Sequence, residues 1–175
     1  MVLSVNVEER SLDDVPASAL PFLDYWHEIT AKGRIGPAWR DFNMLKIPTT
    51  YIPSAVVVDY NAEEHTYRYR YWGSALTGVF GGDYTGKTFE DLTGPFRYIS
   101  YQTYDIILHS KCPVLIHFNI NNNGIETSFQ DVIRVPLSDN GDDISGVVSI
   151  IVQTYQKHEM DHLVESQMLE ILSDK

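Results

Sequence analysis

Residues 66–72 read Thr-Tyr-Arg-Tyr-Arg-Tyr-Trp. Tyr67, Tyr69 and Tyr71 fall on one face of an extended strand, with Arg68 and Arg70 on the other. Just upstream, Ala55 to Tyr60 (AVVVDY) is β-branched and strand-like, and Asn61 to Glu64 carries turn residues. The two runs form a β-hairpin. Downstream, Gly73, Gly78, Gly81, Gly82 and Gly86 break the chain into short pieces. Thr88 to Leu92 can make a helical turn or two before Gly94-Pro95. Phe96 to Leu108 is a better helix, with Phe96, Ile99, Thr103, Ile106 and Ile107 on one side. Tyr101, Tyr104 and Leu108 form a second stripe.

Three more strands follow. Pro113 to Ile120 places Val114, Ile116, Phe118 and Ile120 on one face, and Leu115, His117 and Asn119 on the other. Asn121-Asn122-Asn123-Gly124 is a turn. Thr127 to Val135 has Thr127, Phe129, Asp131, Ile133 and Val135 on one side. Gly146 to Tyr155 is apolar on both faces at its centre, so it belongs in the middle of the sheet. Ahead of the hairpin, Phe22, Trp26 and Ile29 mark a helix over 20–32, closed by Gly33, and Pro37 opens a short helix through Trp39 and Phe42. His158 to Leu172 reads as a C-terminal amphipathic helix. The layout is α+β: a five-stranded antiparallel sheet with short helices on one face and a flanking helix at each end. The expected organisation is a flexible acidic arm over 1–19, one domain over 20–155 and the C-terminal helix over 156–175.

This order resembles a PAS domain. Gly33 to Phe42 (GRIGPAWRDF) is similar to the opening segment of stand-alone PAS-like proteins of proteobacteria. So are Tyr67 to Leu76 (YRYRYWGSAL), Gly82 to Lys87 (GDYTGK) and the Tyr25-Trp26 pair of the N-terminal helix. The resemblance covers roughly residues 20–155. It implies a curved antiparallel sheet with helices over one face, enclosing a pocket. It implies sensing or protein interaction, usually through a dimer, and names no ligand.

The chain has 175 residues and a formal charge of −11. The acids concentrate at 1–24, 126–143 and 156–175, five in each segment. That charge argues against nucleic acid and anionic membrane as partners. A single cysteine excludes a disulfide framework and a multi-cysteine zinc site. No apolar run has spanning length, and the first residues are acidic where a signal peptide is basic, so a cytoplasmic protein is expected.

Several motifs could carry chemistry. Gly81 to Thr88 (GGDYTGKT) matches G-x-x-x-x-G-K-T, but a P-loop needs a buried strand before it and a long helix after it. His158-Glu159-Met160-Asp161-His162 matches H-E-x-x-H, with Glu165 one turn further on, yet the same residues make a plain amphipathic helix. Both matches are read as coincidental. A flavin adduct at Cys112 would need an N-C-R-F-L-Q-like segment, which Thr88 to Leu92 lacks, so Cys112 is expected to be a small buried residue. Haem-binding PAS domains carry a histidine within the long helix. Here Tyr98, Tyr101 and Tyr104 occupy it and His109 ends it. No cofactor is expected, and a tyrosine-ligated haem stays open. The Tyr-Arg alternation at 67–72 could stack on single-stranded RNA, a minor reading beside the hairpin.

The expected function is a non-catalytic sensory or interaction module. Its pocket would use Tyr69, Tyr71, Tyr101, Tyr104, Leu108, His117 and Phe129 to take a small apolar or aromatic ligand. No kinase, cyclase or DNA-binding segment follows Tyr155, so output would pass through a homodimer or an unidentified signalling protein docked on helices 20–32 or 158–172. The alternative is a small cone-shaped α+β enzyme, an isomerase or dehydratase, with His117 and Asp131 as proton-transfer groups.

Overall fold

The computed structural model describes residues 3–92, 95–123 and 125–156. The expected helix at 158–172, with its His158 and His162, lies outside them. Six strands form one sheet: β1 (Leu3–Arg10), β2 (Ala55–Asn61), β3 (Thr66–Trp72), β4 (Val114–Asn122), β5 (Ile125–Leu137) and β6 (Gly146–Gln156). Their order is β1-β4-β5-β6-β2-β3, and every neighbouring pair is antiparallel. Among the described residues three α-helices accompany them: α1 (Leu20–Ile29), α2 (Ser74–Phe80) and α3 (Pro95–Ser110). A hairpin, then helices, then a three-strand meander closing back on the hairpin is the α+β arrangement expected from the sequence.

β6 pairs with both β5 and β2, as its two apolar faces require. Each face of the sheet has its own core. On the front, α2, α3 and the 3-10 turn Phe89–Asp91 cover Val56, Val58, Tyr67, Tyr69, Val114, Ile116 and Val147. Tyr67 stacks on Phe89 at 4.5 Å, and both meet Tyr104. On the back, α1 and the irregular chain up to Ile47 cover Ala55, Val57, Leu115, Ile133, Val135, Val148 and Ile150. Phe22, Leu23 and Trp26 are the buried stripe of α1. That stripe is therefore used within the chain, against its own sheet, and is not left open for a partner.

Three differences from the sequence reading have physical causes. First, residues 3–10 are not a loose arm. They add a sixth strand along the free edge of β4, in register Val5↔Ile120 and Val7↔Phe118. Leu3, Val5 and Val7 alternate with Ser4, Asn6 and Glu8, a period-2 pattern that the nearby acids obscure. The strand also caps an edge that would otherwise be open for pairing. Second, Ser74 to Phe80 is a helix, ended by Gly81 at φ 73°. Third, a register shift between Val57 and Val58 puts an extra residue into β3. Tyr69 and Trp72 then face the front, and Tyr71 turns to the back, where its hydroxyl donates to the carbonyl of Ile52 at 3.1 Å.

Two glycines allow backbones to approach where no side chain fits. A Cβ on Gly36 would meet the carbonyl of Pro136, and one on Gly73 would meet the carbonyl of Pro53.

Candidate functional site: a front-face cavity and a polar cluster behind the sheet

Between the front face and its helices lies a cavity of about 70 Å³, several times the space one water needs. The hairpin and α2 contribute Val56, Tyr69, Trp72, Leu76 and Phe80, and α3 contributes Phe96, Ile99, Ser100, Thr103 and Tyr104. The meander closes it with Phe118, Gln130, Val132, Arg134, Ser149 and Ile151. The wall is mainly apolar and aromatic, with a few polar groups.

Arg134 dominates those polar groups. It is 6% exposed. One terminal nitrogen, Nη2, donates to Thr103 Oγ1 at 2.9 Å. The guanidinium carbon lies 3.5 Å from the ring centre of Tyr104, a cation–π contact. Nε and Nη1 have no hydrogen-bond partner among the described residues. Among the described residues no carboxylate lies within ion-pair distance of it. Burial pulls its pKa below the usual arginine value, and the neighbouring tyrosines oppose that shift. Beside it, the Tyr104 and Ser149 hydroxyls are 3.3 Å apart. Burial holds the Tyr69 hydroxyl far above the usual tyrosine range. It is therefore neutral at physiological pH and supplies no counter-charge.

Of the seven expected pocket residues, the structure brings Tyr69 and Tyr104 to the cavity wall. Tyr101 and Leu108 pack beside it, in the aromatic layer around Tyr67 and Phe89. The Tyr101 hydroxyl donates to Glu90 Oε1 at 2.9 Å. Burial first, and that acceptor second, push its pKa up to about 12. Tyr71, His117 and Phe129 lie on the back face. For Tyr71 the bulge is the reason. For the other two it is strand phase: the cavity takes the even residues Phe118, Gln130, Val132 and Arg134, whereas Leu115 belongs to the back core.

On the back face His117 and Asp131 are directly paired across β4 and β5. They are 6% and 7% exposed, so His117 is neither a cavity residue nor a solvent-facing one. Its Nδ1 lies 2.7 Å from Asp131 Oδ1. Arg10 Nη1 reaches the same oxygen at 3.4 Å. On the other side of the ring, Nε2 is 3.4 Å from Asn119 Nδ2 and 3.9 Å from Glu126 Oε2. Strands β1, β4 and β5 thus share one polar cluster.

The remaining motifs resolve locally. Gly81 to Thr88 follows helix α2, not a strand, and leads into a three-residue 3-10 turn. No helix N-terminus is there to cradle a phosphate. Instead Gly86 and Lys87 bond to the edge of β3 through Tyr69. Arg68 donates to the Gly86 carbonyl at 2.7 Å and Arg70 pairs with Asp59 at 2.8 Å, so both arginines of the alternating stretch are engaged. Cys112 is exposed, not buried, because it sits in the turn before β4. His109 Nδ1 contacts the Asp105 carbonyl at 2.6 Å. Among the described residues no cluster of three metal-ligating side chains exists, and no helix is long and apolar enough to cross a membrane.

Asp91 gives this region a pH dependence. It accepts from the Thr88 backbone N–H at 2.7 Å and from its hydroxyl at 3.0 Å. Those bonds, the backbone one first, hold its carboxyl below the ordinary range. A depressed folded pKa adds stability above the unfolded value, lost as pH falls through the folded one. Asp91→Asn is therefore expected to lower the urea midpoint slightly at neutral pH and to match the parent in acid. A gap that persists in acid would refute this.

Sequence reasoning missed Arg134, Thr103 and Ser149. A usable signal existed for the first. Residues 132–137 read Val-Ile-Arg-Val-Pro-Leu, and a lone charge inside a run that is apolar on both sides must be buried.

No family model matches the chain, and no curated protein matches it. Among solved structures the chain is similar to an RNA-binding Light-Oxygen-Voltage receptor, at 10% identity and a TM-score of 0.41. The alignment covers 99% of this chain and 43% of that one, so the chain spans less than half of the receptor's length.

Proposed function

We propose that the chain is a PAS-like sensory module that holds a small ligand in the front-face cavity and signals by association with another protein or a second copy of itself. The observation that carries this reading is the cavity itself, walled by the sheet and the helices over its front face, with a few buried polar groups in the wall. Ligand pockets have this character: mostly apolar, with a few placed polar groups. A cytoplasmic setting, no catalytic step and no bound metal belong to the proposal. So does the absence of nucleic acid as a partner, which rests on the −11 charge and on the engaged Arg68 and Arg70.

Native mass spectrometry of protein purified from its own host tests the reading. A species heavier than the chain by the mass of a small organic molecule is expected. A chain of unmodified mass, unchanged in melting temperature across a panel of small apolar and aromatic compounds, would count against it. Equilibrium sedimentation addresses the dimer, and a clean monomer at high concentration would remove that part.

A second reading has one observation behind it: His117 and Asp131 are 2.7 Å apart and buried, as a proton-transfer pair could be. Against it, the sheet separates them from the cavity. A substrate in the cavity would not meet either group.

A further inference from the structure

We propose that the cavity selects a small organic monocarboxylate, its charged end on Arg134 and its apolar body among the rings and aliphatic side chains beyond. This rests on the cavity being the ligand site and adds the chemical class of what it holds.

The argument begins with an unbalanced charge. A guanidinium stays protonated in proteins and cannot escape burial by losing its proton. A buried ion is tolerated when paired and fully hydrogen-bonded. Arg134 has one hydrogen bond, to Thr103, and one ring face, from Tyr104. Among the described residues its Nε and Nη1 donors are unused and no carboxylate neutralises it. Tyr69 is held neutral by its burial. Arg134 itself lines the cavity, so an acceptor that enters can complete the set once the guanidinium turns its unused donors toward it.

The lining narrows the acceptor. Among the described residues Arg134 is the one charged residue of the lining, and none of them there is an acid. A single fixed positive charge complements a single negative one, and a cation has nothing to bind there. Thr103, Tyr104 and Ser149 cluster around the guanidinium, whereas Leu76, Phe80 and Phe96 lie among the apolar wall. That asymmetry fits a molecule with one polar end. A guanidinium with adjacent hydroxyls matches a carboxylate, while a phosphate dianion calls for more donors than this wall offers. The volume, about 70 Å³, suits an acid of only a few carbons and neither a ring nor a large cofactor.

The test compares matched pairs that differ only in charge. Propionate and butyrate are titrated calorimetrically into the full chain, beside propionamide and butyramide. At least one acid is expected to bind roughly tenfold to a hundredfold more tightly than its amide, the range that charge-assisted hydrogen bonds supply. Arg134→Met, near in length and without charge, is expected to fold and to abolish that preference. Far-UV circular dichroism checks the fold, and Arg134→Gln stands in if the methionine variant does not fold. Acids and amides binding equally, or a preference that survives loss of Arg134, would overturn the anion while leaving the cavity as a ligand site. No binding of any of the four compounds would overturn the carboxylate and count against the cavity reading as well.

Discussion

Trp26→Ala is expected to destabilise the protein by about 3–5 kcal/mol, a large share of a single domain's stability. Trp26 is 5% exposed in the back-face core. Its indole N–H donates to the Pro136 carbonyl at 2.9 Å, which links α1 to β5. The substitution removes a large buried ring and also leaves that carbonyl without its donor. Arg34 clamps the same corner, donating to the Ser138 carbonyl at 2.7 Å, so the chain after α1 is fastened to the loop after β5. Trp26→Phe should cost less, since it keeps most of the apolar volume and loses the hydrogen bond. Chemical denaturation measures both. The result also separates two roles for α1. If its stripe docks on this sheet, the isolated chain loses stability. If the stripe instead held a second copy, Trp26→Ala would shift the oligomer equilibrium and leave the monomer's midpoint within about 0.5 kcal/mol of the parent.

The architecture was legible wherever side-chain period and partner agree. Trp26 and Phe22 repeat at helical spacing and are buried together. β6 is apolar on both faces and lies in the sheet's interior. The cavity was less legible, because its membership depends on strand phase. In residues 66–72 nothing local marks the extra residue in β3, which appears only once Val57 and Val58 pair against it. A one-residue slip moves a side chain to the other face, so Tyr71 left the cavity and Trp72 entered it. In β4 and β5 both phases carry apolar residues. His117 attracted attention by its chemistry, but its neighbours in phase, Leu115 and Ile133, belong to the back-face core. Arg134 was legible in principle. Deciding for it required weighing the cost of burying a charge above the appeal of a histidine.

Asp131→Ala is expected to cost about 3 kcal/mol, for a reason unlike that of Trp26→Ala. The carboxylate's Oδ1 is shared by His117 Nδ1 at 2.7 Å and Arg10 Nη1 at 3.4 Å. Truncation removes little apolar volume. It leaves a buried imidazole nitrogen without its partner and frees a cation at the end of β1. The histidine side of the pair is deeply buried and the arginine side is about one-third exposed. Most of the loss should therefore appear as coupling between Asp131 and His117 in a double-mutant cycle. The coupling to Arg10 should stay within the range of exposed pairs, about 0.2–1 kcal/mol. Asp131→Asn keeps an acceptor oxygen and should lie between the parent and the alanine variant. The effect has a direction along the chain as well. Arg10 closes the strand that covers the edge of β4, so amides of residues 3–10 should exchange faster in Asp131→Ala than amides of β6 at matched global stability. If β1 and β6 speed up equally, the cluster contributes only to the whole fold. If β1 alone responds, the His117–Asp131–Arg10 set is a latch on the edge strand, and its buried carboxylate has a structural reason to be there without any catalytic one.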